Sequence, residues 1–239
     1  MATTTNKQRL LNHVFAAVPA EPGSAAEPRP VLEQFIYGLC REDATPEQAD
    51  RAYRRLCERF FDWNEVRVSS QRELEEVFHG MSHPDVRAQR LLSLLHEVFE
   101  TTFSFCLDDL QKKKGGVKDA TRQLMRYQAA NDFVGAWVVQ RSLGGHAIPL
   151  DPPALRCIRR LGLIDASQDD TDSARATLEH LVPKSRGVQF TDTLAVLADD
   201  YCFEDEPNCP SCPLAGECAT AQAAGVVVPS GRSHRSKPR

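Results

Sequence analysis

Apolar residues recur every three or four positions along most of the chain, the spacing that puts side chains on one face of an α-helix. No useful stretch alternates apolar and polar residues as a half-buried strand would. The pattern predicts an all-α protein, with a short helix near residues 7–17 and later ones near 118–128, 132–142, 152–161, 172–181 and 189–200. The clearest periodic series are Leu32, Phe35, Ile36 and Leu39; Ala52, Leu56, Phe60 and Phe61; and Val86, Leu91, Leu92, Leu95 and Val98.

Helix start signals agree with this periodicity. Thr45-Pro46-Glu47, Ser69-Ser70 before the run ELEEVF, and His83-Pro84-Asp85 each combine a capping residue, a proline or an acid at a first turn. Residues 19–30 contain four prolines, which is typical of a linker. We therefore predict an N-terminal helix and linker over 1–30, domains over 31–146 and 147–222, and a disordered basic tail over 223–239, with the N-terminal helix packing on the second domain.

Composition indicates the cellular compartment in which the protein is expected, but it does not identify the function. The 239 residues are 41% hydrophobic with a net charge of −4, enough apolar content for a real core but no reason by itself to expect a polyanionic partner. No apolar run approaches the roughly 18 residues of a membrane span, and the first residues do not look like a secretory signal. We expect a cytoplasmic monomer in which Cys40, Cys57, Cys106 and Cys157 are buried thiols.

Four further cysteines carry the strongest chemical signal. Cys202, Cys209, Cys212 and Cys218 have the spacing C-x6-C-x2-C-x5-C, a ligand set for one metal centre. A [4Fe-4S] cluster and a Zn²⁺ ion both accept four thiolates. Structural zinc sites usually pair two short knuckles, whereas only Cys209 and Cys212 form one here. The spacing therefore favours the cluster, with zinc as the alternative.

An all-α chain that ends in this motif resembles the endonuclease III branch of the helix-hairpin-helix DNA glycosylases, which carry an iron-sulfur cluster there. Further pieces follow in the family's order: Gly115-Gly116, the segment 147–151 followed by Arg156, then the run 160–163 and Val182-Pro183. The resemblance covers about residues 30–220. It implies a helical barrel domain with the hairpin, a cluster domain, double-stranded DNA as partner, and base excision.

By this resemblance Asp151 falls at the catalytic aspartate. Breaking a glycosidic bond builds positive charge on the sugar, which a nearby carboxylate stabilises. Asp151-Pro152 is also a good helix start, and that role alone could account for the residue.

Several positions depart from the family pattern. The lyase lysine would fall at Phe133 or beside it, and no lysine occurs between Lys118 and Lys184, so a lysine-dependent lyase is not expected. The glycine-containing hairpin turn is replaced by residues 129–132, in which Asn131 can adopt the left-handed conformation and Asp132 adds a negative charge. The intercalating glutamine falls near Cys40.

Charged residues of one sign are grouped in two segments of the chain, one basic and one acidic. Lys112, Lys113, Lys114, Lys118, Arg122 and Arg126 are candidates, with Asn131, for contacts to DNA phosphates, although a solvated surface explains the charges equally well. From Gly187 to Gly231 there are seven acids and no lysine or arginine. Two hypotheses follow: a monofunctional DNA glycosylase, or an inactive iron-sulfur protein of the same fold that binds DNA or another protein.

Overall fold

The computed structural model describes residues 4–17, 29–165 and 170–226. All regular secondary structure in the described residues is helical, as predicted, with short 3₁₀ helices at Asp108–Lys112, Lys184–Arg186 and Cys209–Ser211. The α-helices are α1 (Thr4–Ala17), α2 (Val31–Arg41), α3 (Pro46–Arg59), α4 (Trp63–Val68), α5 (Gln71–Val77), α6 (Pro84–Thr102), α7 (Gly116–Leu124), α8 (Asp132–Arg141), α9 (Pro152–Leu161), α10 (Thr171–Leu181), α11 (Gly187–Asp200) and α12 (Ala219–Ala223).

Side-chain caps explain where several helices begin. Thr45 and Ser70 form capping boxes with Gln48 and Glu73, at the starts of α3 and α5. Each such cap contributes about 1 kcal/mol, because it satisfies amide groups that have no partner in the helix. His83 precedes α6 with a positive φ of 49° and makes no capping hydrogen bond. The local signals that favour the start of α6 are therefore Pro84 and Asp85 in its first turn.

The buried side chains form two clusters, which define two lobes. The barrel lobe has a core drawn from Val31 to Leu143, and the cysteine lobe has a core drawn from Ile148 to Leu214 together with α1. Phe15 of α1 meets Phe190 of α11 edge to face, with 6.2 Å between ring centroids. The barrel lobe is therefore inserted between two parts of the other lobe. No described helix has the length and apolar character needed to cross a membrane.

Some expectations were wrong. Cys57 and Cys106 are exposed, because Cys57 lies on the outer face of α3 and Cys106 in the loop after α6. Phe61 is 95% exposed, since α3 ends before it. The helix expected to reach residue 128 ends at Leu124, and α4 was not anticipated. Most of the proline-rich linker and most of the basic tail lie outside the described residues, and the domain boundaries stay predictions.

Candidate active site and cysteine centre

A cavity of about 230 Å³ lies between the two lobes and is called here the interlobe cavity. The barrel lobe contributes the loop after α2 and the first turns of α8, and the cysteine lobe contributes the start of α9 and one face of α11. At about 30 Å³ per water molecule, it has room for about eight waters, or one small planar ligand. Its lining includes two aromatic rings and three charged side chains: Phe133, Trp137, Arg41, Asp151 and Asp199.

Asp151 is the buried carboxylate of this cavity, with 9% of its surface exposed. It caps α9, because Oδ1 accepts from the Ala154 amide at 3.0 Å, and Pro152 occupies the first helical position. Oδ2 accepts from the Asp43 amide of the other lobe at 3.2 Å. Burial raises the pKa of Asp151, against the lowering effect of these hydrogen bonds and of the Arg41 charge. Each oxygen keeps a second lone pair for chemistry.

Arg41 ends α2 and is only 6% exposed although it lines the cavity. Nη1 donates to the Ala44 carbonyl oxygen, and the guanidinium carbon lies 5.8 Å from the centre of the Trp137 ring. Its charge acts on both Asp151 and Asp199, yet within the described part of the chain it forms no salt bridge with either. This role of Arg41 was not predicted from the sequence, because a charge at a helix end usually faces solvent.

Aromatic rings form one wall of the cavity. Phe133 stacks on Trp137, with 6.0 Å between centroids and 24° between planes. Phe133 is the position at which the family resemblance expects a lysine, and no lysine is among the residues that line the cavity. The site therefore offers flat apolar surface where a nucleophilic amine would have stood.

Arg87 of α6 holds the loop that carries Arg41 and Asp43. It is 6% exposed and donates to the carbonyl oxygens of Leu39 at 2.6 Å, Glu42 at 2.5 Å and Ser82 at 2.7 Å. The Leu39 and Glu42 carbonyls lie at and just beyond the end of α2, where the helix itself supplies no donors, and the Ser82 carbonyl lies just before α6. Arg87 thus fixes the loop whose amide meets Asp151.

The turn between α7 and α8, residues 125–131, contains no positive φ. Asn131 does not adopt the left-handed conformation but is extended, with φ −139°, and it caps α8 by accepting from the Val134 amide at 2.9 Å. Its amide group also donates to Glu42 at 2.5 Å. Glu97 of α6 accepts from the Gln128 amide at 3.1 Å. Glu97 and Glu42 therefore already accept hydrogen bonds from donors of this turn, where the family resemblance implies that a DNA phosphate would bind.

The candidate basic residues lie before, on and after α7. Lys118 and Arg122 are one turn apart on the helix, Lys114 precedes it and Arg126 follows it; all four are exposed and are called here the basic stripe. Arg122 pairs with Asp119 at 2.8 Å, and Lys112 lies 3.8 Å from Asp109, both exposed pairs of little energetic weight. Lys113 precedes the stripe in the loop. The stripe leads toward the turn before α8.

The four motif cysteines line one cavity, together with mainly apolar side chains and Cys157. Cys202 follows α11, Cys209 and Cys212 flank a 3₁₀ turn, and Cys218 precedes α12. The Cys157 thiol donates to the Cys202 sulfur and, with Arg160, lowers the pKa of Cys202 to about 6. Within the described ranges no three His, Cys, Asp or Glu side chains are grouped tightly enough to hold a single metal ion.

Two arginines of α9 organise the loop after Cys202. Arg156 donates from Nε to the Cys202 carbonyl oxygen at 2.8 Å, and Arg160 donates from Nη2 to the Glu204 carbonyl oxygen at 2.8 Å. Arg160 Nη1 also lies 3.5 Å from the Cys202 sulfur. Both arginines reach these carbonyls because α9 packs against α11, which leads into that loop.

Comparison with solved structures identifies the fold. Two complexes of endonuclease III with DNA, one a trapped covalent intermediate and one non-covalent, superpose with TM-scores of 0.72 and 0.74 at 20% and 19% identity, over 94% of this chain and 100% and 99% of those chains. A thermostable thymine-DNA glycosylase superposes with a TM-score of 0.62 at 17% identity, over 92% of this chain and 100% of that one. No family model and no curated protein matches the sequence. The chain has an endonuclease III-like, helix-hairpin-helix DNA glycosylase fold, as the sequence resemblance implied.

Proposed function

We propose that the protein is a monofunctional DNA glycosylase that hydrolyses the bond between a base and its deoxyribose. The buried Asp151 carboxylate in the interlobe cavity is the observation that carries this proposal. A base flipped out of the duplex enters the cavity beside Phe133 and Trp137, and the sugar carbon stands next to the carboxylate. The fold shared with DNA-bound endonuclease III and a thymine-DNA glycosylase supports the same assignment.

Asp151 acts on the sugar and on water. As the bond from C1′ to the base nitrogen breaks, its electron pair leaves with the base, and the carboxylate stabilises the positive charge on the sugar. A water oxygen then bonds to C1′, and its proton passes to a carboxylate oxygen. The Asp43 and Ala154 amides fix that carboxylate, so its free lone pairs are held in one orientation. With Phe133 in the cavity, no Schiff base forms.

We further propose that Cys202, Cys209, Cys212 and Cys218 hold a [4Fe-4S] cluster. Four sulfurs around one apolar cavity, without a tight group for one ion, suit a cluster in which each cysteine binds a different iron better than zinc. When bound, the cluster joins the ends of the loop from 202 to 218. Arg160 stabilises thiolate charge at Cys202. Iron, sulfide and zinc analysis of purified protein distinguishes the two metals.

DNA is the proposed partner, with the basic stripe as its phosphate contact. Lys118 and Arg126 are exposed and have no salt bridge within the described ranges. Glu97, by contrast, stands at the turn before α8 and repels phosphate, whereas Glu42 at the same turn is paired with Arg90 at 2.6 Å. The Glu97 charge favours the second candidate, an inactive protein of this fold that binds DNA weakly or binds another protein.

A cleavage assay separates the two candidates. Anaerobically purified protein with bound cluster is incubated with duplexes that contain thymine glycol, uracil, an A:G mismatch or an abasic site, with and without alkali. Strand breaks that need alkali, and that disappear in Asp151→Asn, are expected of a monofunctional glycosylase. If no duplex is cut and Asp151→Asn changes nothing, the enzyme proposal is wrong and the binding protein is the better description.

A further inference from the structure

Arg41 has binding capacity that the protein itself does not use. Only Nη1 has a protein partner, the Ala44 carbonyl oxygen, among the described residues. Nε and Nη2 are not among the buried atoms that lack a partner, so they remain open to the cavity that Arg41 lines. A guanidinium buried to this extent is costly unless hydrogen bonds replace its water. The free edge can therefore exchange water for an acceptor supplied by a ligand.

The other polar side chains of the interlobe cavity are mostly engaged. Their hydrogen bonds run from Ser82 to Asp43, from Gln48 to the Gly80 carbonyl, from Thr191 to the Gly187 carbonyl and from Arg156 to the Cys202 carbonyl. Asp199 differs, since its half-buried carboxylate makes no hydrogen bond within the described part of the chain. The Arg41 charge acts to lower the pKa of Asp199, but the two side chains form no salt bridge. Arg156 uses only its Nε for the bond to the Cys202 carbonyl, and Asp151 keeps free lone pairs, so the cavity has more than one free donor and acceptor. Of the two arginines in the lining, Arg41 is the more deeply buried.

The free edge of Arg41 is a fork of two parallel N–H groups. Such a fork binds two adjacent acceptors, as in the pairing of arginine with O6 and N7 of guanine. Cytosine offers O2 and N3 in the same arrangement and carries an amino group beside them. Uracil has the same size but places an N–H donor between its carbonyls. Phe133, which is 6% exposed, supplies an apolar contact that does not depend on the base, and Trp137, only 2% exposed, packs against it.

We propose that Arg41 is a specificity-determining residue that selects an amino-oxo base of cytosine type, whose two adjacent acceptors, O2 and N3, meet its fork. Asp199 accepts from the amino group of the same base. The inference rests on the proposed function, because it names the class of base that this site takes. Uracil, thymine and their derivatives leave one N–H of Arg41 facing another donor, which discriminates against them.

Binding of free bases tests the selection without any bond cleavage. The protein has two tryptophans, and Trp63→Phe leaves Trp137 as the fluorescent reporter in the cavity wall. The full chain with its cluster is titrated with cytosine and with uracil. We expect cytosine to bind about tenfold more tightly, the difference that one well-formed bidentate contact gives. Equal dissociation constants for the two bases would overturn the proposal.

Arg41→Lys is the informative variant, because it keeps the positive charge but loses the fork. We expect the preference for cytosine to fall to about twofold or less, with the circular dichroism spectrum unchanged and the melting temperature lowered by the loss of the bond to the Ala44 carbonyl. Arg41→Gln provides a second variant should the lysine variant misfold. A tenfold preference that persists in a folded Arg41 variant contradicts the assignment.

Duplexes with 5-hydroxycytosine and 5-hydroxyuracil connect binding to turnover and separate the two proposals. Selective binding of cytosine without excision of any lesion supports the role of Arg41 while the enzyme proposal fails. Excision of both lesions with a preference for the uracil derivative leaves the enzyme proposal intact and refutes the role of Arg41. Faster excision of the cytosine derivative, lost in Arg41→Lys, supports both.

Discussion

Replacing Arg87 with methionine should destabilise the protein by about 3 kcal/mol and loosen the loop that carries Arg41 and Asp43. Methionine retains much of the length and apolar volume but removes every donor. The carbonyl oxygens of Leu39, Glu42 and Ser82 then lose bonds of 2.5 to 2.7 Å.

The magnitude follows from those three bonds. A hydrogen bond from a charged donor contributes about 1.5 kcal/mol at the lower end of its range, so their loss costs about 4 to 5 kcal/mol. Burial lowers the pKa of Arg87, which means that its charge is expensive to bury, and its removal returns about 1 to 2 kcal/mol. The net loss is about 3 kcal/mol, which lowers the melting temperature of a chain of this size by about 6 to 12 °C.

Urea unfolding followed by circular dichroism measures the change. Arg54→Met is the matched control, since Arg54 is exposed on α3 and should change stability by less than about 0.5 kcal/mol. Arg87→Lys, with one donor group, should lie between wild type and Arg87→Met. If Arg87→Met costs less than about 1 kcal/mol, or no more than the Arg54 control, the reasoning about the loop is refuted.

Three further outcomes are expected. In the proposed mechanism Asp151 acts as a carboxylate, so excision should fall as the pH drops through its raised pKa; Arg41→Gln should move this loss to higher pH, and a profile that does not move would contradict the charge effect. Cys212→Ser should remove the visible absorbance of the proposed cluster and lower the soluble yield, whereas Cys106→Ser should not; a soluble, fully helical Cys212→Ser protein without cluster would argue against a structural role. Glu97→Gln should tighten DNA binding about fivefold at low salt, measured by fluorescence anisotropy, and unchanged affinity would show that the turn before α8 lies away from DNA.

Helix positions were predictable where local chemistry sets them. Thr45, Ser70 and Pro152 mark the starts of α3, α5 and α9 in sequence, and the structure confirms all three. Caps and periodicity act over a few residues, so the sequence contains the whole signal. The cysteine spacing is likewise readable, although what those cysteines bind stays a prediction.

The polar organisation of the cavity was not predictable in this way. Arg41 and Arg87 resemble solvated charges in sequence, and their burial depends on packing between α2 and α6, whose contacts join residues more than 40 positions apart. Glu97 looks like an ordinary helix acid until the Gln128 amide is placed beside it. Such contacts are set by tertiary structure, which leaves no local pattern.

The position of α1 has a consequence for how the chain folds during synthesis. Gln189 donates to the Phe15 carbonyl oxygen across 174 positions of sequence. At about 5 to 20 residues per second, a ribosome needs roughly 9 to 35 seconds to make α11 after α1. The complete barrel lobe emerges in that interval and can fold first, while the apolar face of α1 stays exposed because α11 has not yet been made. Slower translation should therefore increase the need for a chaperone. A variant in which α1 is placed after α11 in the sequence should not need one.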